Sequence, residues 1–319
     1  MAPLIPRMHV FEIDDQPWFP PWFRGRVQAA LTRAWVMRVP VVQSASPASL
    51  VAGILKKEVL AKAPQTSSKK TQKPWIMIDF CAGGGGPTPS IEAILNADTK
   101  DSETPESSES SDTSESAPTK FVLTDLHPHV DDWARAAAAS PHVRYAAQPV
   151  DAAAADPALI LKEAYSVSGD SARVMRLFNL AFHHFDDPLA KAILKNTVET
   201  SDGFGIFELQ DRSFGAFVTT LIFGLGILLT APYYAYKWRS PMTLVFTYLI
   251  PVLPFVLVFD GWMSMLRTRT PDEVEALLRT CGADTLAADG SSTWELRSGE
   301  IRHLWPCGYL KWIVCTKKV

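Results

Sequence analysis

The stretch Trp75–Pro89, WIMIDFCAGGGGPTP, constrains the fold more than any other part of the chain. Four apolar residues run into Asp79, as in a strand of a parallel sheet buried on both faces. Glycines at 83 to 86 allow positive φ and let the backbone approach a ligand closely. Pro89 and Ser90 open a helical pattern, IEAILNA, that tolerates proline at its start. A strand, a glycine loop and a helix N-terminus together form a cradle for a nucleotide-like ligand. The alternative is a glycine-rich loop that only turns the chain.

Length allows one large α/β domain with insertions, and apolar content of 47% supports a substantial core. A net charge of -3 gives no basic character of the kind nucleic acid requires, so a nucleic-acid partner is not expected. Cys81, Cys281, Cys307 and Cys315 form no CxxC pair, which suggests neither a zinc site nor a disulfide framework. Nothing calls for a metal, and a reducing compartment is the simpler expectation. The first 15 residues lack the continuous apolar run of a cleaved signal peptide.

Residues 1–23 are rich in proline and aromatics, and their acids are Glu12, Asp14 and Asp15. Such an arm is either a lid over a site or a strap filling a surface groove. Helices are expected over residues 23–39 and 48–63, the second capped by Ser46 with Pro47 at its first position. The run 98–119 is acidic, serine-rich and without large apolar residues, and is expected to be disordered.

Strands are expected at 121–125, 143–150, 173–182 and 203–213. The first closes on Asp125, whose two oxygens match a pair of ribose hydroxyls, or which caps the helix after it. Asp151 follows the next strand and is likewise a ligand contact or a cap. His183 and His184 follow the third of these strands, where ligands sit in open α/β sheets. Histidine is suited to taking a proton near neutral pH, so both are candidate catalytic residues. One is expected to face the site and the other to be structural. Glu208 and Arg212 at the end of the fourth are candidate substrate contacts, or an ion pair at the strand exit. Thr270, Pro271 and Gly282 bound a further helix, and two strands close the chain.

Aligned on Asp79, the glycine loop resembles the first motif of class I S-adenosylmethionine (SAM)-dependent methyltransferases, (D/E)xGxGxG. The family's glycine positions fall on Cys81, Gly83 and Gly85, and Cys81 departs from the pattern. The resemblance runs from Trp75 to the C-terminus, outside the acidic run and the apolar segments below. It implies a Rossmann-like α/β sheet, mostly parallel with an antiparallel last strand. It also implies SAM as cofactor, held by Asp79, Cys81, Ala82, Gly83, Gly85, Asp125, Leu126, Asp151, Ala152 and Asn179. Asp151 would meet the adenine amino group, and Asn179 would lie under the methionine part.

Two apolar segments lie within 214–260, separated by Lys237 and Arg239. Each is near the length that crosses a bilayer, and glycines or prolines interrupt each. Three readings stay open: a spanning hairpin, a re-entrant or monotopic hairpin, and a buried insertion. The first puts positive charge on the side away from the cytoplasm, against the usual tendency. Asp260 and Trp262 would border a substrate pocket, while Arg267 and Arg269 read as solvent-facing charges. The chain thus divides into an arm with helices (1–70), a SAM-binding core (71–213), an apolar helical hairpin (214–260) and the rest of the core (261–319). The expected reaction is methyl transfer to O or N of a small, lipophilic or membrane-presented acceptor, by a membrane-associated enzyme with its core on the cytoplasmic side. The rival readings are a catalytically silent SAM-fold binding protein and a nucleotide-dependent oxidoreductase.

Overall fold

A computed structural model describes residues 3, 5–61, 73–97, 117–167, 171–285 and 291–318. Most of the acidic run 98–119 lies outside the described residues. All six residues of β1 (Trp75–Phe80) are buried, as an apolar run with helices on both faces requires. Its neighbours are β2 (Lys120–Thr124) and β4 (Arg173–Asn179), both parallel to it. With β3 (Val143–Tyr145), β5 (Gly203–Glu208), β6 (Trp294–Leu304) and β7 (Gly308–Lys317) they form one sheet, ordered β3-β2-β1-β4-β5-β7-β6. Only β7 runs antiparallel to the rest, pairing β5 on one side and β6 on the other. This is the Rossmann-like α/β sheet, mostly parallel with an antiparallel last strand, that the resemblance implied.

The period-2 alternation of strand side chains sorts them to two layers. Met77, Phe121, Met175 and Leu177 meet α1 (Pro21–Val36), α2 (Pro47–Leu55) and α3 (Thr88–Leu95) through Trp35, Val51, Leu55 and Ile91. Ile76, Ile78, Val174 and Phe178 meet the opposite layer. That layer holds α5 (Pro157–Tyr165), α6 (Asp187–Thr200) and α10 (Pro271–Arg279), which contribute Leu161, Ile193, Leu194 and Val274. Between β2 and β3 runs α4 (Val130–Ala139), its Trp133 buried against Leu123 and Val143. The expected caps are present: Ser46 accepts from Ser49 N–H, and Thr270 with Glu273 forms a capping box.

The third, fourth and fifth strands are shorter than expected, ending at Tyr145, Asn179 and Glu208. β3 is the sheet's edge strand, paired with β2 alone, and it leaves the ladder after Tyr145, well before Pro149. Leu180 adopts φ 54°, which stops β4 at Asn179.

The apolar hairpin is formed by α7 (Phe214–Lys237), α8 (Pro241–Leu244), a π-helical turn (Val245–Leu249) and α9 (Val252–Arg267). Contrary to expectation, α7 is continuous through Gly224, Gly226 and Pro232. The second limb bends by 68° at Ile250–Pro251. A Cβ on Gly224 would meet Val258 Cγ2 at 2.5 Å, and one on Gly261 would meet Thr220 Cγ2 at 2.8 Å. The glycines therefore set how closely α7 and α9 cross.

Arg176 of β4 is fully buried and has no carboxylate partner among the described residues. It donates to Ser201 Oγ, Ala152 O, Asn196 Oδ1 and Thr200 Oγ1, and it lies over the Phe80 ring. Burial lowers its pKa to about 9. Arg176→Met should strip four acceptors of their donor and destabilise the chain by about 3 kcal/mol in a denaturant titration.

Candidate functional site

The order of the sheet reverses between β1 and β4, so their carboxyl ends open a crevice where such folds place ligands. On leaving β1 the backbone turns left-handed at Cys81 (φ 61°), Gly83 (φ 50°), Gly85 (φ 102°) and Gly86 (φ 49°). Cys81 adopts a conformation that favours glycine, which accounts for the family's preference at that position. Ala82 N–H donates to Thr124 O at 3.0 Å, pinning the loop to the end of β2. Trp133 Nε1–H donates to Gly83 O at 2.8 Å.

Asp125 faces this loop. It accepts from Gly83 N–H at 2.9 Å and from His127 N–H at 2.8 Å, one bond on each oxygen. Each oxygen keeps a second lone pair for a hydroxyl donor. It does not cap α4, whose N-cap is His129. Asp151 is exposed and accepts from Ala153 N–H, while the cap of the following helix is Asp156. Leu126 is exposed beside Asp125, and Ala152 O is taken by Arg176.

Asp79 lies beneath the loop and is 1% exposed. Its carboxylate accepts from Thr88 Oγ1 at 2.5 Å and Asn179 Nδ2 at 3.1 Å. Burial pushes its pKa up to about 7 against those two bonds, and Asp125 adds to the rise. Asp79 therefore orients its neighbours rather than presenting itself to a ligand. Asn179 Oδ1, by contrast, is buried at the end of β4 with no hydrogen-bond partner. An unsatisfied acceptor of this kind suits a donor such as the ammonium of an amino-acid ligand. A left-handed amide loop, a ribose-matching carboxylate and an orphan acceptor together fit SAM.

Beside this crevice, at the ends of β4 and β5, lies a second cluster. His183 Nδ1 is 2.9 Å from Glu208 Oε2, and its Nε2 is 3.7 Å from Glu12 Oε1. Glu208 is thus committed to His183 rather than free to orient a substrate. The neighbouring ring of His184 has its Nδ1 3.1 Å from Asp15 Oδ2 and 3.7 Å from Glu12 Oε2. The N-terminal arm therefore lies over both histidines. From α9, Ser264 Oγ donates to Glu12 at 2.8 Å, and Arg267 Nη1 lies 2.9 Å from Glu12 and 3.1 Å from Asp15. Asp260 accepts from Ile13 N–H and Asp14 N–H. Glu12, His183 and His184 are spaced to hold a metal ion, and the guanidinium of Arg267 already supplies positive charge there.

Several sequence-based roles change on this geometry. Arg267 is buried among the arm's acids, and Arg269 is bonded to Phe182 O, Phe185 O and Asp187, so neither is a solvent-facing charge. Arg212 is spent on both oxygens of Glu273, the ion-pair alternative. Trp262 stacks on Phe217 at 4.7 Å, inside the hairpin. Glu12, Asp15, Ser264 and Arg267 were missed as site residues. The spacing of Asp260, Ser264 and Arg267, one polar face in an apolar helix, was the available signal.

No known protein family and no curated protein matches the chain. Solved structures overlap it weakly. The citrinin polyketide synthase CMeT domain is 11% identical with a TM-score of 0.45, over 94% of this chain and 57% of that one. The DszA carbon methyltransferase is 12% identical with a TM-score of 0.40, over 85% and 53%. A structure described as a zinc-dependent alcohol dehydrogenase from Rhodobacter sphaeroides is 15% identical with a TM-score of 0.42, over 92% and 98%. The chain spans little more than half of the first two. Overlaps at this level carry no activity across.

Burial lowers the pKa of His184, but the charge of Glu12 and the bond to Asp15 outweigh it and raise the value to about 9. A histidine raised from 6.5 in this way contributes stability that is complete below about pH 6.5 and is lost as pH rises through about 9. Thermal stability should therefore fall between pH 6.5 and 9, and His184→Gln should flatten that part of the profile. An NMR titration should place the His184 ring above the ordinary value, and Asp15→Asn should bring it down.

Proposed function

We propose that the chain is a SAM-dependent methyltransferase acting on an O or N nucleophile of a small, lipophilic or membrane-presented acceptor. The observation that carries this reading is Asp125 bonded to Gly83 N–H across the switch point, with the free acceptor of Asn179 beside it. SAM, when bound, supplies an already activated methyl group, so positioning accounts for much of the catalysis. The loop backbone of Ala82, Gly83 and Gly85, held in shape by its own amide bonds to Thr124, Asp125 and Ala82, would border the ligand, with Cys81 shaping the strand exit. Asp125 would take the ribose hydroxyls, and Asn179 Oδ1 the ammonium. Leu126, Asp151 and Ala152 would border the adenine. Asp79 holds Asn179 in place for that contact.

Glu208 bonded to Nδ1 fixes one tautomer of His183 and leaves Nε2 as the proton acceptor, the arrangement of a base with its orienting group. His184, charged at neutral pH, is the partner that holds the arm. The acceptor would reach His183 Nε2 on the side that Glu12 now covers. The sealed histidine also suits a protein that binds SAM without turnover, and that reading is tested by the same experiment. Hydride transfer lacks support, because the GxGxxG spacing of a dinucleotide loop is absent.

We also propose that the hairpin enters one leaflet of a membrane, with the core on the cytoplasmic side. In support, α7 has a mean hydropathy of 2.1 over its most apolar stretch, of which 28% is buried. Leu225, Leu229, Tyr233 and Tyr236 are exposed on it, as are Leu249, Ile250 and Phe255 on the second limb. The 68° bend favours a re-entrant path over two straight spans.

Two measurements check these readings. Calorimetry should show SAM binding to the wild type and a loss of about 30-fold or more in Asp125→Ala at unchanged melting temperature. Labelled SAM with a lipid and metabolite extract should yield methylated product. Binding with no product would support the silent reading, and no binding would end the assignment. In fractionation, wild type should resist carbonate, while Leu225→Glu with Leu229→Glu should move the protein to the soluble fraction with SAM binding intact.

A further inference from the structure

Acidic residues are unevenly spread along the chain. It carries 34 of them and a net charge of -3, yet neither 16–57 nor 212–259 contains one. These two stretches supply α1, α2 and the apolar hairpin. Within them Arg38, Lys237 and Arg239 are exposed, and none has a carboxylate partner among the described residues. The hairpin lies along α1 rather than projecting from the core. At one end the rings of Trp22 and Phe23 each meet Phe246 at 5.3 Å. Midway, Val27 shares an apolar cluster with Phe223 and Ile227. At the other end Tyr234 Oη donates to Met37 Sδ at 3.4 Å, just past the end of α1. Trp35 of the same helix is buried in the layer against the sheet, so the tip at 237–239 is held beside the core. A hairpin that spanned a bilayer would carry its tip about 30 Å away.

The face left open is apolar. Leu221, Leu225, Leu229, Tyr233 and Tyr236 recur at helical spacing along α7, and all are exposed. Trp22 is 56% exposed despite its contact with Phe246. Cations border the open rings at both ends: the Arg26 guanidinium lies 5.7 Å from the centre of the Trp22 ring, and the Lys237 ammonium 5.6 Å from that of Tyr233. Exposed Tyr and Trp flanked by Lys and Arg suit the boundary between acyl chains and headgroups. We infer that the hairpin and α1 lie side by side in the plane of an anionic leaflet, with the tip on the same side of the membrane as the core. Lys237, Arg239 and Arg38 would meet lipid phosphates and carboxylates, while Leu225, Leu229 and Trp22 enter the acyl boundary. Charge complementarity selects the lipid, because each cation near an anionic surface adds about fivefold to binding and no acid on these stretches opposes it. A second copy of the chain would offer those cations no acid to pair with. The inference rests on the leaflet reading above and adds the lipid class and the orientation.

The test dilutes the full chain onto preformed vesicles of phosphatidylcholine, alone or with a one-third share of phosphatidylserine, and floats them. The mixed vesicles should bind at least about tenfold more tightly, and high salt should shrink that margin. Lys237→Gln with Arg239→Gln should remove most of the margin at unchanged melting temperature. Lys162→Gln with Lys195→Gln, the same loss of charge on α5 and α6 in the opposite layer, should keep it. On the mixed vesicles, Lys237→Cys should react with a membrane-impermeant maleimide added outside. Equal binding to both kinds of vesicle would overturn the anionic inference and leave leaflet entry standing, whereas binding to neither would overturn both. Reaction at residue 237 only after the vesicles are lysed would overturn the in-plane orientation. A dimer that forms in place of vesicle binding would assign the face to a second copy and overturn the inference.

Discussion

Between β1 and α3 the backbone turns left-handed four times in six residues, at Cys81, Gly83, Gly85 and Gly86. This conformation carries the chain over the end of the sheet and turns the amide of Gly83 toward Asp125. It holds the loop against β2, through Ala82 and Thr124, and it lets Trp133 lock the loop from the far side. A side chain at such a φ costs roughly 1–2 kcal/mol, and Cys81 bears that cost where the family has glycine. The crevice, the helix that begins at Thr88 and the burial of Asp79 all follow from this one turn.

The sheet was legible because its signals are local. An apolar run, a glycine cluster, acids at strand ends and a capping box at Thr270 each announce themselves within a few residues. The strands were read too long: the left-handed Leu180 ends β4, while β3 and β5 stop at Tyr145 and Glu208 where the apolar pattern runs on. The continuity of α7 was hidden for a related reason. Gly224 and Pro232 look like breaks in a sequence, but the crossing of α7 and α9 makes Gly224 a contact residue.

The second cluster was only half legible. His183, His184 and Glu208 stood out by their position, but their roles depend on a segment more than 160 residues earlier. Glu12 and Asp15 gain meaning only from Arg267 and Ser264, which face them from α9. Charge compensation across such a distance leaves no periodic trace. The burial of Arg267 and Arg269 follows from it, since neither guanidinium could be buried without acids or carbonyls to meet it.

The arm is fastened less to the sheet than to α9: Met8 N–H donates to Leu266 O, Arg7 Nε–H to Arg267 O, and the amides of Ile13 and Asp14 to Asp260. The cover over His183 and the limb that carries the exposed Phe255 therefore share one set of bolts. Displacing that limb would strain the same hydrogen bonds that hold the arm over the histidine pair.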